Sequence, residues 1–327
     1  MAKALITTFP FAEKNKFPLE LLESAGIDYL INPLKKKLTE DELADLVADY
    51  DVLIAGTEPI TKKVMNQARN LKLISRVGIG LDSVDLLEAR HRGIEVSYTP
   101  DAPAPAVAEL TVALMLSLLR SVQLSNIQMH RGEWTRHFGR RLAEVTIGII
   151  GAGRIGSRVL RRIKGFGTPR ILLNDVSPSK ELDREFKVEW VPKETIYAEA
   201  DLISLHLPLT NKTRGLIGAQ ELLQMKSDAL IVNTSRGGII DEHDLYEVMM
   251  NGHLSGAAVD VFDQEPYFGP LKDIDRCILT AHMGSMSEDC RARMEIEATE
   301  EAVRFILGEP LNNLVPNNEY LEREIGL

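Results

Sequence analysis

The stretch Val145–Gly156 reads V-T-I-G-I-I-G-A-G-R-I-G. An apolar run leads into a turn with glycines at 151, 153 and 156, and a helical pattern follows over 157–164. In the fingerprint G-x-G-x-x-G, the first glycine makes a tight turn, the second lets the backbone approach a pyrophosphate, and the third lets the helix pack on the strand. The stretch therefore predicts a Rossmann unit that binds a dinucleotide at Gly151, Gly153 and Gly156.

An acidic residue stands where this fingerprint places one. Asp175 follows the next apolar run, Arg170–Asn174, about 20 residues after the glycines. A carboxylate at this position accepts hydrogen bonds from the ribose hydroxyls of NAD and repels the additional phosphate of NADP. The sequence therefore predicts NAD as the cofactor, and Ser177 and Lys180 nearby could soften the preference.

Outside this stretch, short apolar runs rich in β-branched residues alternate with helical patterns. Apolar runs separated by helices are typical of parallel sheets covered on both faces. The runs form two sets, which predicts an α/β protein with two doubly wound lobes, a Rossmann cofactor domain and a flavodoxin-like substrate domain. The first set is Ala4–Thr7, Tyr29–Asn32, Val52–Ala55, Leu73–Arg76 and Ile94–Ser97, and the second is Thr146–Ile150, Arg170–Asn174, Leu202–Leu205, Ala229–Asn233, Ala257–Val261 and Ile278–Ala281.

A proline-rich segment at 100–105 separates the two sets of runs. The helix predicted after it, Ala106–Gln128, is apolar on several faces, so we expect it to be buried as a connection between lobes or at a subunit interface. The last long helical pattern, Met286–Leu307, follows the second set. It could return to the first lobe, which would make that lobe discontinuous.

The composition of the chain excludes several classes of function. A net charge of −10 over 327 residues argues against nucleic acid as a partner. Cys277 and Cys290 lack the spacing of a metal site or a disulfide framework, so we expect no metal and a reducing compartment. The apolar stretch Ala106–Leu119 contains Glu109 and is too short for a membrane span. We therefore expect a cytoplasmic enzyme with no membrane partner.

Three polar residues, Arg236, Glu265 and His282, each follow an apolar run closely. The carboxyl ends of parallel strands form the ligand crevice of an open sheet, so these side chains could meet at one site. Hydride transfer to a ketone creates an alkoxide that needs a proton, and histidine is suited to supply it. A carboxylate can orient that imidazole, and an arginine can bind a substrate carboxylate and polarise the keto oxygen.

Two further features have alternative interpretations. Gly78–Gly80 follows the run Leu73–Arg76, and its spacing alone favours a tight turn over a nest of N–H groups for a substrate carboxylate. His206 ends the run Leu202–Leu205 and so lies near the same crevice. No Asp or Glu occupies an obvious partner position beside it, so we prefer His282 as the acid.

Taken together, these motifs resemble the D-isomer-specific 2-hydroxyacid dehydrogenase family over about residues 52–315. The resemblance implies an NAD-dependent oxidoreductase that interconverts a small 2-keto acid and its D-2-hydroxy acid. It also implies a homodimer, with much of the interface on the interdomain helix, and a first lobe closed by the C-terminal helix. We accordingly predict a substrate domain at 1–99 and 290–327 and an NAD-binding domain at 100–289. The match is most specific at Gly151–Gly156, Asn233–Asp241, Val259–Pro266 and Thr280–Ser285.

The resemblance also implies roles for individual residues. Arg236 resembles the family's substrate-binding arginine, and Glu265 and His282 its catalytic dyad, with His282 as acid/base. Asp260 resembles the residue that holds the nicotinamide amide, and Asp175 the adenosine-ribose acid. The other implied cofactor contacts are Gly151, Gly153, Arg154, Ile155, Gly156, His206, Pro208, Thr213 and Thr234, and the implied substrate loop is Arg76, Val77, Gly78 and Ile79, which reverses our preference for a simple turn there.

Departures from the family pattern bear on the substrate. Phosphoglycerate dehydrogenases carry an arginine for the phosphate in the segment that aligns with 55–59, where this chain has Glu58 and no basic residue. Glu58 would repel a dianion. Arg76 could take over part of the phosphate-binding role that the arginine has in those enzymes. Tyr98 and Asp101 replace the usual Asn and Gly near the crossover.

The family also contains alternatives to this function. One is an NAD-sensing corepressor-like protein, and another is a phosphite-type dehydrogenase, which also keeps a Glu–His pair. The formate branch has Gln as the histidine's partner, so Glu265 disfavours formate as the substrate.

Overall fold

The computed structural model describes residues 2–324. The chain packs into two compact units, the first formed by Met1–Pro103 with Met286–Leu327 and the second by Ala104–Ser285. Each unit contains one parallel sheet, of five and of seven strands. This confirms the predicted α/β fold with two doubly wound lobes.

The first unit has a flavodoxin-like sheet. Its strands are β1 (Lys3–Ile6), β2 (Asp28–Ile31), β3 (Val52–Ala55), β4 (Leu73–Arg76) and β5 (Glu95–Ser97). Its helices are α1 (Phe17–Ser24), α2 (Glu40–Leu46), α3 (Lys62–Gln67), α4 (Leu86–His91), α12 (Glu288–Leu307) and α13 (Asn317–Glu324). The strand order is β2-β1-β3-β4-β5, the doubly wound order in which a ligand binds at the carboxyl edge.

The second unit has a Rossmann sheet with one additional strand. Its strands are β6 (Ile147–Ile150), β7 (Ile171–Asn174), β8 (Val188–Trp190), β9 (Leu202–Leu205), β10 (Leu230–Asn233), β11 (Gly256–Val259) and β12 (Cys277–Leu279). Its helices are α5 (Ala104–Leu119), α6 (Val122–His130), α7 (Arg154–Ile163), α8 (Lys180–Glu185), α9 (Lys193–Glu199), α10 (Ala219–Gln224) and α11 (Glu242–Met250). The order β8-β7-β6-β9-β10-β11-β12 reverses direction between β6 and β9, which defines the switch point.

Residues near the end of the described chain complete the first unit. Helix α12 packs against α1, β3 and β4, and the Ser75 hydroxyl donates to the carbonyl of Ala298 at 2.8 Å. Leu314 forms a bridge with Ser97, beside the outer strand β5. Val315 and Tyr320 belong to the same buried apolar cluster as the strand residues of this sheet. The hydrophobic core of this unit is therefore built from both parts of the chain.

The prediction of one continuous helix over Ala106–Gln128 is wrong. The segment forms two helices, α5 and α6, whose axes differ by 65°. The break is at Ser121, which adopts left-handed backbone with φ +50°, a conformation that cannot continue a right-handed helix. Among the described helices none is long and apolar enough by itself to cross a membrane, and only the bent pair of α5 and α6 passes such a test when counted together.

Candidate active site

The residues predicted for catalysis and cofactor binding follow neighbouring strands of the second sheet. Asp175 follows β7, Gly151 follows β6, His206 follows β9, Arg236 lies after β10 and His282 lies after β12. In parallel sheets of this kind, ligands bind at the carboxyl edge beside the switch point. The fold therefore places all of these positions along one edge of one sheet.

Glu265 and His282 form a hydrogen-bonded pair. Nδ1 of His282 lies 3.0 Å from both carboxylate oxygens of Glu265, and the two side chains are 37% and 22% exposed, His282 being the more exposed. Oε1 of Glu265 also accepts a hydrogen bond from the N–H of Phe262 at 3.3 Å. Because Nδ1–H donates to the carboxylate, Nε2 is the ring nitrogen left to exchange a proton with a ligand.

The loop that carries His282 is anchored by Asp260. His282 has left-handed backbone, with φ +51°, and its N–H donates to the carbonyl of Asp260 at 2.8 Å. The Asp260 carboxylate accepts hydrogen bonds from the Thr280 hydroxyl at 2.5 Å and from the N–H groups of Met283 and Gly284 at 2.7 and 2.9 Å. Burial raises the pKa of Asp260, and these hydrogen bonds oppose the rise. The sequence indicated only a cofactor contact for Asp260 and gave no sign of this anchoring of the loop.

Arg236 lies in a loop that is shaped by Asn233. The Asn233 amide donates to the carbonyl of Arg236 at 2.9 Å, and its oxygen accepts a hydrogen bond from the N–H of Ser235 at 3.1 Å. Nη1 of Arg236 donates to the carbonyl of Ser235 at 2.6 Å. Asp241, at the end of the same loop, caps α11 by accepting hydrogen bonds from the N–H groups of His243 and Asp244.

The glycine loop after β6 has no room for side chains at two of its three glycines. Gly151 has φ +96°, and a Cβ there would lie 2.2 Å from the carbonyl oxygen of His206. A Cβ on Gly156 would lie 2.0 Å from the carbonyl oxygen of Gly151. A Cβ on Gly153 would meet nothing within 4 Å, and α7 begins at the next residue, Arg154. The backbone at Gly151 and Gly156 therefore packs too closely to admit a side chain, whereas the space at Gly153 is open to a pyrophosphate.

Asp175 lies directly beside this loop. Its Oδ2 accepts a hydrogen bond from the N–H of Ala152 at 2.7 Å, and its Oδ1 accepts one from the N–H of Ser177 at 2.8 Å. The acid and the glycine loop, 23 residues apart in the chain, are thus joined. These residues fit an adenosine ribose on Asp175 with its pyrophosphate on the glycine loop.

One ring nitrogen of His206 is hydrogen-bonded and the other is shielded from solvent. Its Nε2 lies 2.9 Å from the Ser204 hydroxyl, and its Nδ1 is shielded from solvent with no hydrogen-bond partner in the described chain. Burial lowers the pKa of His206 to about 3, so the ring is neutral at physiological pH. Its carbonyl oxygen instead packs against Gly151, which makes His206 part of the wall of the cofactor loop.

Two threonines predicted as cofactor contacts have local structural partners. The Thr213 hydroxyl donates to the carbonyl of Pro208 at 2.6 Å, which closes the turn after β9. The buried Thr234 hydroxyl lies 2.7 Å from the Thr111 hydroxyl of α5.

No group of three or more His, Cys, Asp or Glu residues in 2–324 is arranged to hold a metal ion.

The first unit contains the predicted substrate loop at the carboxyl edge of its own sheet. The Arg76 guanidinium is buried and donates to the carbonyl of Gly80 through Nε at 3.1 Å and Nη2 at 2.9 Å. Gly78 has φ +147°, and its carbonyl accepts a hydrogen bond from the N–H of Thr99 at 3.1 Å. Arg76 therefore supports this loop from inside, a role that the sequence did not indicate.

Residues 112–284 match the family model described as "D-isomer specific 2-hydroxyacid dehydrogenase, NAD binding domain". The chain is 39% identical over 295 residues to a D-3-phosphoglycerate dehydrogenase of Methanocaldococcus jannaschii, covering 88% of this chain and 56% of that protein. It is 37% identical over 271 residues to a hydroxypyruvate reductase of Thermotoga maritima, covering 81% of this chain and 87% of that protein.

The crystal structure of the TT0316 protein of Thermus thermophilus is also similar. It superposes with a TM-score of 0.87 at 33% identity, over 96% of this chain and 100% of that one. The chain belongs to the D-isomer specific 2-hydroxyacid dehydrogenase family. It is an oxidoreductase whose second unit contains the family's NAD-binding domain.

Proposed function

We propose that the protein reduces a small 2-keto acid to its D-2-hydroxy acid with NADH, and catalyses the reverse reaction with NAD. The observation that carries the proposal is the Glu265–His282 pair on the same sheet edge as the Gly151–Gly156 loop. A dinucleotide fingerprint alone supports binding. A carboxylate-oriented imidazole beside it adds the acid that reduction of a ketone requires.

When bound, NADH supplies the hydride. His282 holds the proton at Nε2 and donates it to the oxygen that becomes the hydroxyl, while Glu265 keeps Nδ1–H engaged. Arg236 has the planar fork suited to a substrate carboxylate. Residues 100–289 form the cofactor domain in this proposal, and 1–99 with 290–327 form the substrate domain.

The test is a measurement of NADH oxidation against a panel of 2-keto acids: glyoxylate, hydroxypyruvate, pyruvate and 3-phosphohydroxypyruvate. Turnover of any of them supports the reaction class, and the relative rates rank the substituents on the keto carbon C2. NADH binding without turnover of any member would contradict the proposal and favour a cofactor-sensing role.

The preference for NADH over NADPH is predicted to depend on Asp175. The Asp175→Ala variant is expected to lower kcat/KM for NADH relative to NADPH by about 10- to 100-fold, because charge-assisted hydrogen bonds to the ribose are lost and the repulsion of a phosphate is removed. Steady-state kinetics with both cofactors measure this ratio. Asp273→Ala removes an exposed acid elsewhere in the same unit and should leave the ratio unchanged. An unchanged ratio in Asp175→Ala would refute the role of Asp175.

We also propose that the protein is a homodimer through the region of α5, α6 and the segment 131–141 that follows. That segment is irregular, and its Trp134 and Phe138 are 77% and 108% exposed. Large aromatic side chains exposed together mark interaction surfaces in soluble proteins. The resemblance of the interdomain helix to the family's dimer helix supports the same surface.

The Trp134→Glu variant is expected to sediment as a monomer where the unchanged protein sediments as a dimer, because a charge would be buried at the contact. Analytical ultracentrifugation over a range of concentrations measures this. Leu223→Glu changes an exposed apolar residue of α10, a helix that packs with α9 and α11, and should remain dimeric. A dimer that persists in Trp134→Glu would rule out this surface.

A further inference from the structure

We propose that Glu242 is a positioning residue that holds the loop of Glu265 in place against the neighbouring loop after β10. The inference rests on the proposed function, and every residue that it uses lies in the second unit. Glu242 acts in it through Glu265, the carboxylate that orients His282.

The two loops leave adjacent strands at the same edge of the sheet. β10 and β11 pair in parallel register up to Asn233 and Val259. The loop after β10 contains Arg236 and runs into α11, and the loop after β11 contains Glu265. Both loops therefore start side by side at the carboxyl ends of the strands, where ligands bind.

The backbones of the two loops touch at their closest approach. A Cβ on Gly237 would lie 1.9 Å from the carbonyl carbon of Phe262 and 2.4 Å from the nitrogen of Asp263. Gly238 has φ +75°, and a Cβ there would lie 2.9 Å from Oδ1 of Asp263. A shift of either loop towards the other is therefore blocked, and what remains to be fixed is the direction in which the second loop leaves this contact.

Glu242 supplies a hydrogen bond at this point. It is the first residue of α11, and its Oε1 accepts a hydrogen bond from the N–H of Asp263 at 2.7 Å. The preceding N–H, that of Phe262, donates to Oε1 of Glu265 at 3.3 Å. Two consecutive N–H groups of the loop thus donate to two carboxylates, one on α11 and one in the catalytic pair. The orientation of this short piece of backbone decides where Glu265 lies, and Glu242 holds that orientation.

The surroundings of Glu242 are unfavourable for a carboxylate. Burial raises the pKa of Glu242, and the nearby carboxylates of Asp263, Asp241 and Glu265 raise it further, while the hydrogen bond from Asp263 lowers it. Ionisable groups held in such surroundings cluster at functional sites. The N-terminus of α11 is already capped by Asp241, so the start of the helix does not depend on Glu242.

The test measures kcat for 2-keto acid reduction and the dissociation constant of NADH in Glu242→Ala. We expect kcat to fall by about 10- to 100-fold, because a displacement of about 1 Å at the reacting groups has an effect of this size. The affinity for NADH should change little, because the Gly151–Gly156 loop and Asp175 follow other strands. Glu242→Gln keeps an oxygen that can accept the N–H of Asp263 and should restore most of kcat.

Glu242→Asp guards against loss of folding in the alanine variant. It keeps an acid in the first turn of α11, which favours the helix, but the side chain is one methylene too short to reach Asp263. Its kcat should therefore fall as in Glu242→Ala, although its Tm should stay close to that of the unchanged protein.

Asp244 provides the matched control in the same helical turn. It is also a half-buried acid, and its Oδ2 accepts a hydrogen bond from the N–H of Ala219 at 2.8 Å, at the start of α10. Asp244→Ala therefore removes a comparable hydrogen bond that leads away from the loop of Glu265, and should leave kcat unchanged. Equal losses of kcat in Asp244→Ala and Glu242→Ala would overturn the inference.

A double variant distinguishes positioning from a general loss of structure. Effects of independent residues on kcat multiply, whereas those of residues that act together do not. Because Glu242 acts through Glu265, Glu242→Ala combined with Glu265→Gln should lower kcat little further than Glu265→Gln alone. Multiplied effects, or an unchanged kcat in both Glu242→Ala and Glu242→Asp, would also overturn the inference. Absence of turnover with every 2-keto acid in the unchanged protein would instead overturn the proposed function.

Discussion

Replacing His282 with alanine is expected to lower kcat for 2-keto acid reduction by about 10²- to 10⁴-fold, the usual contribution of a positioned general acid. The structure gives the reason, since Glu265 holds Nδ1 at 3.0 Å and leaves Nε2 to carry the proton. The Gly151–Gly156 loop and Asp175 do not depend on the imidazole, so NADH should bind with unchanged affinity. Stopped-flow kinetics and a fluorescence titration with NADH measure the two quantities separately.

Two further variants serve as a control for this test and as a test of the carboxylate beside the imidazole. His243→Ala removes a histidine at the start of α11, outside the catalytic pair, and should leave kcat unchanged. Glu265→Gln keeps a side chain of the same shape but removes the charge beside the imidazole, so it should shift the pH profile of kcat as well as lower its maximum. Near-normal turnover in His282→Ala would show that another group provides the proton.

Replacing Arg291 with methionine is expected to destabilise the first unit by about 3–5 kcal/mol, the cost of leaving a buried charge without its partner. Nε of Arg291 donates to Glu295 at 2.6 Å, and the two side chains are 13% and 3% exposed. Glu295 also accepts a hydrogen bond from the N–H of Ala12 at 2.8 Å, and Arg291 donates to the Thr8 hydroxyl at 2.8 Å. The pair therefore holds the loop between β1 and α1, and its loss should lower Tm by on the order of 10 °C.

The same helix provides the control for this prediction. Arg293 and Glu297 of α12 form a pair of equal spacing at 2.7 Å, but the arginine is 61% exposed. Exposed pairs contribute about 1 kcal/mol or less, so Arg293→Met should change Tm little. Thermal unfolding followed by circular dichroism compares the variants. Equal changes in Tm for Arg291→Met and Arg293→Met would show that burial of the pair has no bearing on stability.

The strands were predictable because their residues are apolar on both faces. The runs Val52–Ala55, Leu73–Arg76 and Leu202–Leu205 are strands with those bounds, and most of the other predicted runs differ by one or two residues at their ends. β8 was missed because it is short and only half-buried, with an exposed Glu189, and so resembles a loop. The bend between α5 and α6 was missed because Ser121 is neither glycine nor proline, and the apolar pattern continues across it.

The positions of the site residues at strand ends were predictable from the sequence. Their hydrogen-bond partners were predictable only for some of them. Strand ends placed Glu265 and His282 on one edge, and the structure pairs them. The contacts of Asp260 with Met283 and Gly284 depend on the path of a loop, which periodicity does not encode. For the same reason, nothing in the sequence indicated that Arg76 would donate to the carbonyl of Gly80.

The division of the chain into units also bears on the order of folding during synthesis. Every residue of the second unit lies between Ala104 and Ser285, so that unit can fold as soon as this segment has left the ribosome. The first hundred residues lack α12 and the contacts of Val315 and Tyr320 until translation has passed those positions. In the nascent chain, the N-terminal segment therefore has an incomplete core while the domain that follows it folds.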